Sequence, residues 1–241
     1  MIAQTARVSQ FASPFRSSEC LPVCDKALMA RVFKLRFQVY CVECGLLARA
    51  DYPDRQESDA YDAASTHFCA FNQGDELVGY VRLVRCGPGL LFPFQTRCHS
   101  LSEGVTLPPP EASAEISRLI VRHDYRRRRG DTVAGVTAAS ADNTRECEKR
   151  DRSPQILLSL YRQMYLQSLA QGVRYWYAAM ERPLARALKQ MNFAFKQVGA
   201  EMNYYGPVAP YLADLRELEV NLHRINPQLL AWLSQPERER D

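Results

Sequence analysis

The chain has 241 residues, which is enough for one well-buried core and within the size of a single domain. Hydrophobic residues make up 46% and charged residues 24%, the balance of a soluble globular protein. A net charge of +4 is too small to indicate nucleic-acid binding, and no run reaches the roughly 18 apolar residues of a membrane span. The first residues also lack the continuous apolar run of a secretory signal, so the sequence predicts a cytoplasmic protein without an integral membrane segment.

Cysteines are spread along the chain, and only Cys41 and Cys44 have the C-x-x-C spacing. A four-ligand zinc site needs a second pair at suitable spacing, and Cys20 with Cys24 is a poor candidate for it. No basic partner for a thiolate nucleophile can be assigned from the sequence. The pattern therefore predicts reduced thiols that act as small core residues, with no metal site and no cysteine nucleophile.

The N-terminal segment, residues 1–24, carries no clear periodicity apart from one short strand predicted around residues 11–15. Asp25 is a suitable N-cap for the amphipathic helix that follows, because apolar residues recur after it at helical spacing. That helix is predicted to end near Gly45.

Strand patterns dominate the middle of the chain. After a polar loop over residues 50–65, the residue types of 67–72 and 77–86 predict a hairpin. The Gly- and Pro-rich stretch 87–110 is longer than most connections, and loops of that length tend to be functional or disordered. Residues 114–121 are the next predicted strand.

Helix and strand patterns alternate in the C-terminal half. In chain order they are a small-residue helix at 132–141, a helix at 154–172, a strand at 173–180, a helix at 183–191, a strand pair at 193–198 and 201–205, and a helical tail at 210–235. This order predicts a mixed α/β fold, in which helices flank one twisted sheet. We expect a single domain over 1–241 with a helical C-terminal extension over 206–241.

Three carboxylates stand close together at Glu57, Asp59 and Asp62. They repel one another unless cations or hydrogen-bond donors face them, so the segment is either a solvated acidic turn or half of an ion-pair cluster. Arg82 lies within an apolar strand pattern, and a buried arginine there requires a carboxylate partner. The alternative is an arginine that reaches solvent from a half-exposed strand.

The strand at 114–121 carries Glu115, Ser117 and Arg118. Strict alternation places Arg118 on the face opposite Glu115 and Ser117, unless a bulge re-aims it. A glutamate on a central strand, in low dielectric, has a raised pKa suited to accepting a proton from an ammonium group. An ordinary ion pair at the strand end is the alternative.

A basic turn before the predicted helix at 132–141 is the fourth group of functional candidates. Its residues are Arg126, Arg127, Arg128, Arg129 and Gly130. Such a turn at a helix N-terminus suits a pyrophosphate, and it also suits an acidic carrier protein. A solvated turn remains open, whereas nucleic acid is the weaker option because no binding module accompanies the patch.

In this order, the segments resemble the acyl-homoserine-lactone synthase branch of the GNAT superfamily. The matching motifs are Arg36-x-x-Val39-Tyr40, Glu57-x-Asp59-x-Tyr61-Asp62, Gly79-x-x-Arg82-Leu83 and Glu115-Ile116-Ser117-Arg118. A closer resemblance, over most of the chain, is to the N-acyl amino acid synthases and the acyltransferases associated with PEP-CTERM/exosortase systems. It rests on Tyr40-Cys41-Val42-Glu43, Asp51-Tyr52-Pro53, Glu57-Ser58-Asp59 and the helix at 154–172.

The chain departs from the lactone synthases in ways that affect both substrates. Leu46 and Leu47 stand where those proteins usually carry a tryptophan, and the chain is longer, which argues against S-adenosylmethionine. The superfamily's pyrophosphate loop keeps its first glycine as Gly130 but has Thr132 in place of the second small residue. The donor is therefore expected to be the phosphopantetheine arm of an acyl carrier protein, or acyl-CoA, with no permanently bound cofactor.

The resemblance implies the GNAT fold and an N-acyltransferase that acts by direct transfer, on an amino acid or another small amine. It implies that Glu115 is the base, with Ser117 and Arg118 beside it, in a splay between strands 114–121 and 173–180. The implied substrate-binding residues are Arg36, Asp59, Asp62 and Arg82. Arg82 and Arg118 would pair either with the acceptor's carboxylate or with Asp59 and Asp62. Residues 126–130 would bind the donor or its carrier.

Three further expectations are kept open. A candidate acyl tunnel consists of Leu90, Leu91, Phe92, Trp176 and Tyr177. The alternative interpretation is that these side chains only pack in the core. The protein could also make a peripheral contact with its lipid product. The alternatives in function are a lactone synthase that uses S-adenosylmethionine, or a non-catalytic GNAT-fold ligand sensor.

Overall fold

The computed structural model describes residues 15–20, 25–87, 89–98, 101–125, 153–204 and 206–235. The strands are β1 (Arg16–Cys20), β2 (Ser65–Phe71), β3 (Leu77–Val84), β4 (Ser113–Val121), β5 (Tyr175–Met180), β6 (Lys196–Gln197), β7 (Met202–Asn203) and β8 (Pro207–Asp214). The α-helices are α1 (Lys26–Phe37), α2 (Ser153–Ala170), α3 (Arg182–Gln190), α4 (Leu215–Ile225) and α5 (Pro227–Ser234).

The strands form one sheet in the order β1-β2-β3-β4-β5-β8-β6, and the short β7 pairs with β8. Only the contact between β4 and β5 is parallel, and the others are antiparallel. The sheet has helices on both of its faces, which confirms the mixed α/β prediction. No helix in the described ranges is long and apolar enough to cross a bilayer.

Helix α1 begins as its sequence predicts. The Asp25 carboxylate accepts a hydrogen bond from the Leu28 N–H at 2.8 Å and so caps the first turn. Beyond Phe37 the helix widens into a π-helical turn, Gln38–Glu43, and Gly45 then leaves it with φ +62°. Such π turns are often found at functional sites. Here the turn carries Tyr40, which lies under the guanidinium of Arg118 at 5.4 Å from the ring centroid.

The two faces of the sheet bury different clusters, because neighbouring strand residues point in opposite directions. Helix α2 and helices α4 and α5 cover the larger core, in which Trp176 is fully buried and donates from its indole nitrogen to Ser168 Oγ at 2.8 Å. Helix α1 covers the smaller core, centred on Val32 and Tyr80. A fully buried large apolar side chain stabilises the fold by about 1.5–3 kcal/mol, so both faces contribute.

Gly79, the first residue of one of the sequence motifs, is where α2 crosses β3. A Cβ at this position would overlap the Ile156 Cγ2 methyl and would approach the Cβ of Ala70 to 3.3 Å. Ile156 is fully buried in the larger core, so a shift of its side chain would disturb the packing around it. The glycine of this motif is therefore required for packing.

We expect Gly79→Ala to destabilise the protein by about 1–3 kcal/mol, the usual cost of overpacking a core. Gly74→Ala is the matched control, because its Cβ would meet only Asn72 Oδ1 at an ordinary 3.4 Å. Urea unfolding of both variants measures the difference. Equal midpoints for the two would contradict the packing role of Gly79.

The C-terminal prediction needs correction. Residues 207–214 form strand β8 rather than part of a helical extension, and the strands predicted at 193–198 and 201–205 pair with β8 instead of with each other. Prolines at 207 and 210 disfavour a helix, and the buried side chains of β8 fill the place beside β5. Helices α4 and α5 confirm the rest of the predicted tail.

The N-terminal strand is also shifted from its predicted place. It runs over Arg16–Cys20, whereas 11–14 lie outside the described residues. The helix predicted at 132–141 lies outside them as well. Cys41 and Cys44, the two cysteines with C-x-x-C spacing, are free thiols, and burial raises the pKa of Cys41.

Candidate active site

Strands β4 and β5 separate halfway along their length. Their parallel register runs from Ser113 opposite Tyr175 to Ile116 opposite Ala178, and β4 then continues to Val121 without β5. The separation lies where the splay was predicted, between the strands predicted at 114–121 and 173–180. A cavity of about 280 Å³ occupies it. Its polar lining consists of Tyr40, Glu115, Ser117, Arg118, Glu181 and Tyr204.

A β-bulge on β4 decides where Arg118 points. Tyr80 of β3 pairs with Ile120 and Arg82 pairs with Ser117, so two residues of β4 oppose one residue of β3. Arg118 takes the left-handed backbone conformation, φ 55°, that such bulges use. The bulge re-aims the arginine toward Glu57 and Asp59, which is the exception that the alternation argument left open.

Helix α1 contributes Arg36, whose side chain is fully buried between two acids. Its Nε donates to Glu57 Oε2 at 2.5 Å and its Nη1 donates to Asp62 Oδ1 at 2.6 Å. The acidic segment is shaped locally, because the Asp59 N–H donates to Asp62 Oδ2 at 2.7 Å. Three carboxylates thereby face the helix instead of solvent.

Strand β3 contributes Arg82, which is also fully buried. Its Nη1 lies 2.6 Å from Asp59 Oδ1 and 2.6 Å from Asp62 Oδ1, and its Nη2 lies 3.0 Å from Asp59 Oδ2. Its Nε donates to Ser117 Oγ at 3.0 Å. The interpretation of Arg82 as a solvent-facing residue is therefore wrong.

Strand β4 completes the cluster through Arg118. Its Nη2 donates to Glu57 Oε1 at 3.0 Å and to Asp59 Oδ2 at 3.1 Å. Three arginines thus meet three carboxylates, and the cluster is neutral as a whole. Burial raises the pKa of Glu57 and of Asp59, but hydrogen bonds from the arginines outweigh it and hold both pKa values below their usual range.

The structure brings together Arg36, Asp59, Asp62 and Arg82, as predicted, but as an internal ion-pair cluster. The sequence left two partners for Arg82 open, the carboxylate of the acceptor or those of Asp59 and Asp62. The structure shows Asp59 and Asp62. Glu57, which the acidic motif contains, proves to be as central as the residues assigned to substrate binding. Its 0% side-chain exposure could not be read from a polar sequence segment.

His67 supports the cluster from behind, and the sequence carried no signal for it. Its Nε2 lies 3.1 Å from the carbonyl oxygen of Asp62, which can only accept, so Nε2 holds the proton. Its Nδ1 then accepts from the Tyr80 hydroxyl at 2.7 Å. Burial lowers the pKa of His67, so the ring stays neutral among the charges.

Glu115 lies at the closed end of the splay and differs from the other acids. It is 1% exposed, and its Oε2 accepts one hydrogen bond, from the Phe94 N–H at 2.9 Å. Burial raises the pKa of Glu115 to about 8, and the more distant arginines only partly oppose this shift. Among these carboxylates it is the one suited to exchange a proton near neutral pH.

The predicted acyl tunnel is not assembled as expected. Trp176 faces the α2 side of the sheet, whereas Tyr177 faces the other side and packs on Phe92 and Phe94. Leu90 and Leu91 are 63% and 55% exposed. None of the predicted tunnel residues lines the cavity in the splay. The aromatic group of Tyr177 instead supports the loop that carries the Phe94 N–H to Glu115.

The predicted donor-binding residues, Arg126, Arg127, Arg128, Arg129 and Gly130, lie outside the described residues. Their assignment stays a prediction.

Comparisons with known proteins agree with this geometry. The family described as "Acetyltransferase (GNAT) domain" matches residues 35–136. That range contains the ion-pair cluster, β2, β3, β4 and Glu115. A search of curated protein sequences found no match.

Several solved structures share the fold. TofI, in a ternary complex with an inhibitor and MTA, is 15% identical with a TM-score of 0.61, and the match covers 92% of this chain and 97% of TofI. The AHL synthase LasI is 19% identical with a TM-score of 0.56, covering 83% and 89%. The CoA-dependent acyl-homoserine lactone synthase BjaI, with SAM and isopentyl-CoA, is 19% identical with a TM-score of 0.58, covering 88% and 89%.

The splayed sheet is the GNAT fold, and residues 35–136 match a GNAT acetyltransferase domain, which supports an acyltransferase enzyme. Within that fold, the architecture is shared with the acyl-homoserine-lactone synthases.

Proposed function

We propose that the protein transfers a fatty acyl group from a thioester donor to the amine of a small acceptor. The observation that carries this proposal is Glu115, a buried carboxylate with a raised pKa at the closed end of a strand splay. An acceptor amine arrives as an ammonium ion and must lose a proton before it can attack. A base with a pKa of about 8 can take that proton near neutral pH.

The transfer itself is direct. The amine nitrogen attacks the thioester carbonyl carbon, the carbon–sulfur bond breaks, and the thiol leaves with a proton. Because β4 extends past the last pair with β5, backbone N–H groups beyond Ile116 are available to the developing oxyanion. Holding the two reactants together in the cavity lowers the barrier further through proximity.

An amino acid is the acceptor that the cluster favours. Arg118 is 13% exposed and lines the cavity, and its hydrogen bonds to the described residues use Nε and Nη2. Its Nη1 makes no hydrogen bond to the described residues and is available to a carboxylate in the cavity. The ion pairs to Glu57 and Asp59 hold the guanidinium in place for that contact.

A second candidate is a lactone synthase that uses S-adenosylmethionine. It is favoured by the shared fold, since the structure of TofI contains MTA and that of BjaI contains SAM. Against it, the cavity wall is formed by Leu46 and Leu47, where the lactone synthases usually have a tryptophan.

Product analysis separates the two candidates. The purified chain is incubated with acyl carrier protein or coenzyme A thioesters, together with an amino acid mixture or S-adenosylmethionine, and the products are identified by mass spectrometry. We expect N-acyl amino acids, with the carrier-protein donor preferred over the coenzyme A donor. Release of methylthioadenosine would support the lactone synthase instead. If no acyl donor releases its thiol, the protein is a ligand sensor and the proposal fails.

A further inference from the structure

The loop that follows β3 exposes two leucines side by side. Leu90 and Leu91 are 63% and 55% exposed. Other large apolar side chains that are exposed in the described part of the chain, such as Val220 and Ile225 on α4, stand singly. A single exposed apolar side chain is ordinary on a protein surface, whereas an exposed pair needs an explanation. We call this pair the Leu90–Leu91 tip.

The loop holds the tip in place from behind. Phe92 and Phe94, the next aromatic residues along the chain, are buried and pack on Tyr177 with ring centroids 5.3 and 4.8 Å away. On the other side of the tip, the Cys86 thiol donates to the carbonyl oxygen of Leu91 at 3.4 Å. The exposure of the two leucines is therefore a fixed feature of the fold, because the residues on both sides are anchored.

The charge around the tip is positive. The sequence has no aspartate or glutamate over residues 77–102, and Arg85 and Arg97 stand on either side of the tip. Arg85 donates to the carbonyl oxygen of Glu111 at 3.0 Å, and the exposed Arg97 guanidinium lies 5.8 Å from the ring centroid of Tyr204. Neither arginine forms an ion pair with a described residue. Their charges are therefore available to an anionic partner.

The size of the tip distinguishes between a protein partner and a lipid surface. A stable protein interface buries about 800 Å² of each partner. The exposed fractions of the two leucines add up to little more than the surface of one leucine, which is far too small for such an interface. A bilayer needs no complementary pocket, because apolar side chains insert between lipids while arginines meet the anionic headgroups. The tip therefore fits a lipid surface.

We propose that the Leu90–Leu91 tip inserts into membranes that contain anionic lipids, with Arg85 and Arg97 against the headgroups. The same loop carries the Phe94 N–H that donates to Glu115 at 2.9 Å, so the docked surface is close along the chain to the proposed base. Docking needs neither donor nor acceptor. Under the proposed function, it would also let the acyl product enter the bilayer, because a fatty acyl chain prefers an apolar environment to water.

Flotation of the full chain with lipid vesicles tests this inference. The vesicles consist of phosphatidylcholine alone or of phosphatidylcholine mixed with phosphatidylglycerol, and no substrate is added. We expect tighter binding to the mixed vesicles, with about a fivefold contribution from each arginine near the anionic surface. High salt should reduce this difference, because it screens exposed charges.

Two double variants supply the comparison. Leu90→Ser with Leu91→Ser is expected to weaken binding to the mixed vesicles by about tenfold or more, since it removes the inserted apolar surface. Val220→Ser with Ile225→Ser is the control, because these side chains on α4 are exposed to a similar extent, 71% and 56%, and should not contact lipid. Both variants should keep the wild-type melting temperature, since every changed side chain is exposed. Arg97→Gln should weaken binding to the mixed vesicles only.

Several results would overturn the inference: no binding of the wild type, equal binding to both kinds of vesicle, or equal losses in the two double variants. A wild-type dimer that the leucine variant dissociates would assign the tip to a second copy of the chain instead. The outcome is separate from that of the proposed function. If vesicles bind through the tip but no N-acyl product forms with any acceptor, the proposed function fails and the docking surface stands. If product forms and no vesicle binds, only the docking surface fails.

Discussion

Glu115→Gln is expected to lower the rate of acyl transfer by about 100- to 10,000-fold, the usual contribution of a general base. Glutamine has nearly the same shape, and its amide oxygen can still accept the hydrogen bond that the Phe94 N–H makes to Glu115. The loss should therefore appear in the chemical step and not in folding or donor binding. Single-turnover kinetics with saturating donor measures it.

The same residue predicts two opposite pH effects. A base must be ionised, so the wild-type rate should rise as the pH rises through about 8. The folded protein, in contrast, binds a proton at Glu115 that the unfolded chain releases at its ordinary, lower pKa. The stability that this proton contributes is present at low pH and is lost as the pH rises toward about 8. Glu115→Gln does not titrate and keeps that stability.

We therefore expect the melting temperature of Glu115→Gln to exceed that of the wild type at about pH 8, with a smaller gap at about pH 5.5. Glu111→Gln, an exposed position shortly before β4, is the control and should change neither rate nor melting temperature. A Glu115→Gln enzyme that turns over at the wild-type rate would remove Glu115 from the mechanism. A pH-independent gap in melting temperature would show that its carboxyl is not protonated in the folded state.

Arg36→Met is expected to destabilise the protein by about 3–5 kcal/mol, because it leaves buried carboxylates without a cation. Arg36 contacts Glu57 and Asp62, which are 0% and 8% exposed, and the remaining two arginines cannot neutralise three acids. Methionine keeps much of the apolar volume of the side chain. The measured change in unfolding free energy therefore reports mainly the charge.

The control lies on the same helix. Arg31 pairs with Asp75, which is 62% exposed, so Arg31→Met should cost much less stability than Arg36→Met. Adding Glu57→Gln to Arg36→Met restores a balance of two arginines and two acids, and the double variant should lose less than the sum of the single ones. Strict additivity, or equal costs for Arg36→Met and Arg31→Met, would show that the cluster does not act as a unit.

Local features of the sequence were sufficient for much of the fold. The N-cap at Asp25, the hairpin of β2 and β3 and the start of α2 follow from caps, turns and side-chain periodicity, which act over a few residues. Strand β8 escaped prediction because its buried positions become evident only beside β5. The order of the charged motifs resembles that of a known family, and this resemblance suggested the reaction class.

By itself, the sequence determined which charged residues are candidates for the site: Glu115, which we expect to be the base, and a set of acids and arginines at fixed places along the chain. Only the tertiary structure decided what those charges do. Arg36, the acidic segment and Arg82 come from separate elements, and their pairing depends on distances that sheet register sets. The bulge at Arg118 reversed the direction of one side chain. Electrostatic and hydrogen-bond energies depend on distance and burial, and neither is a property of local sequence.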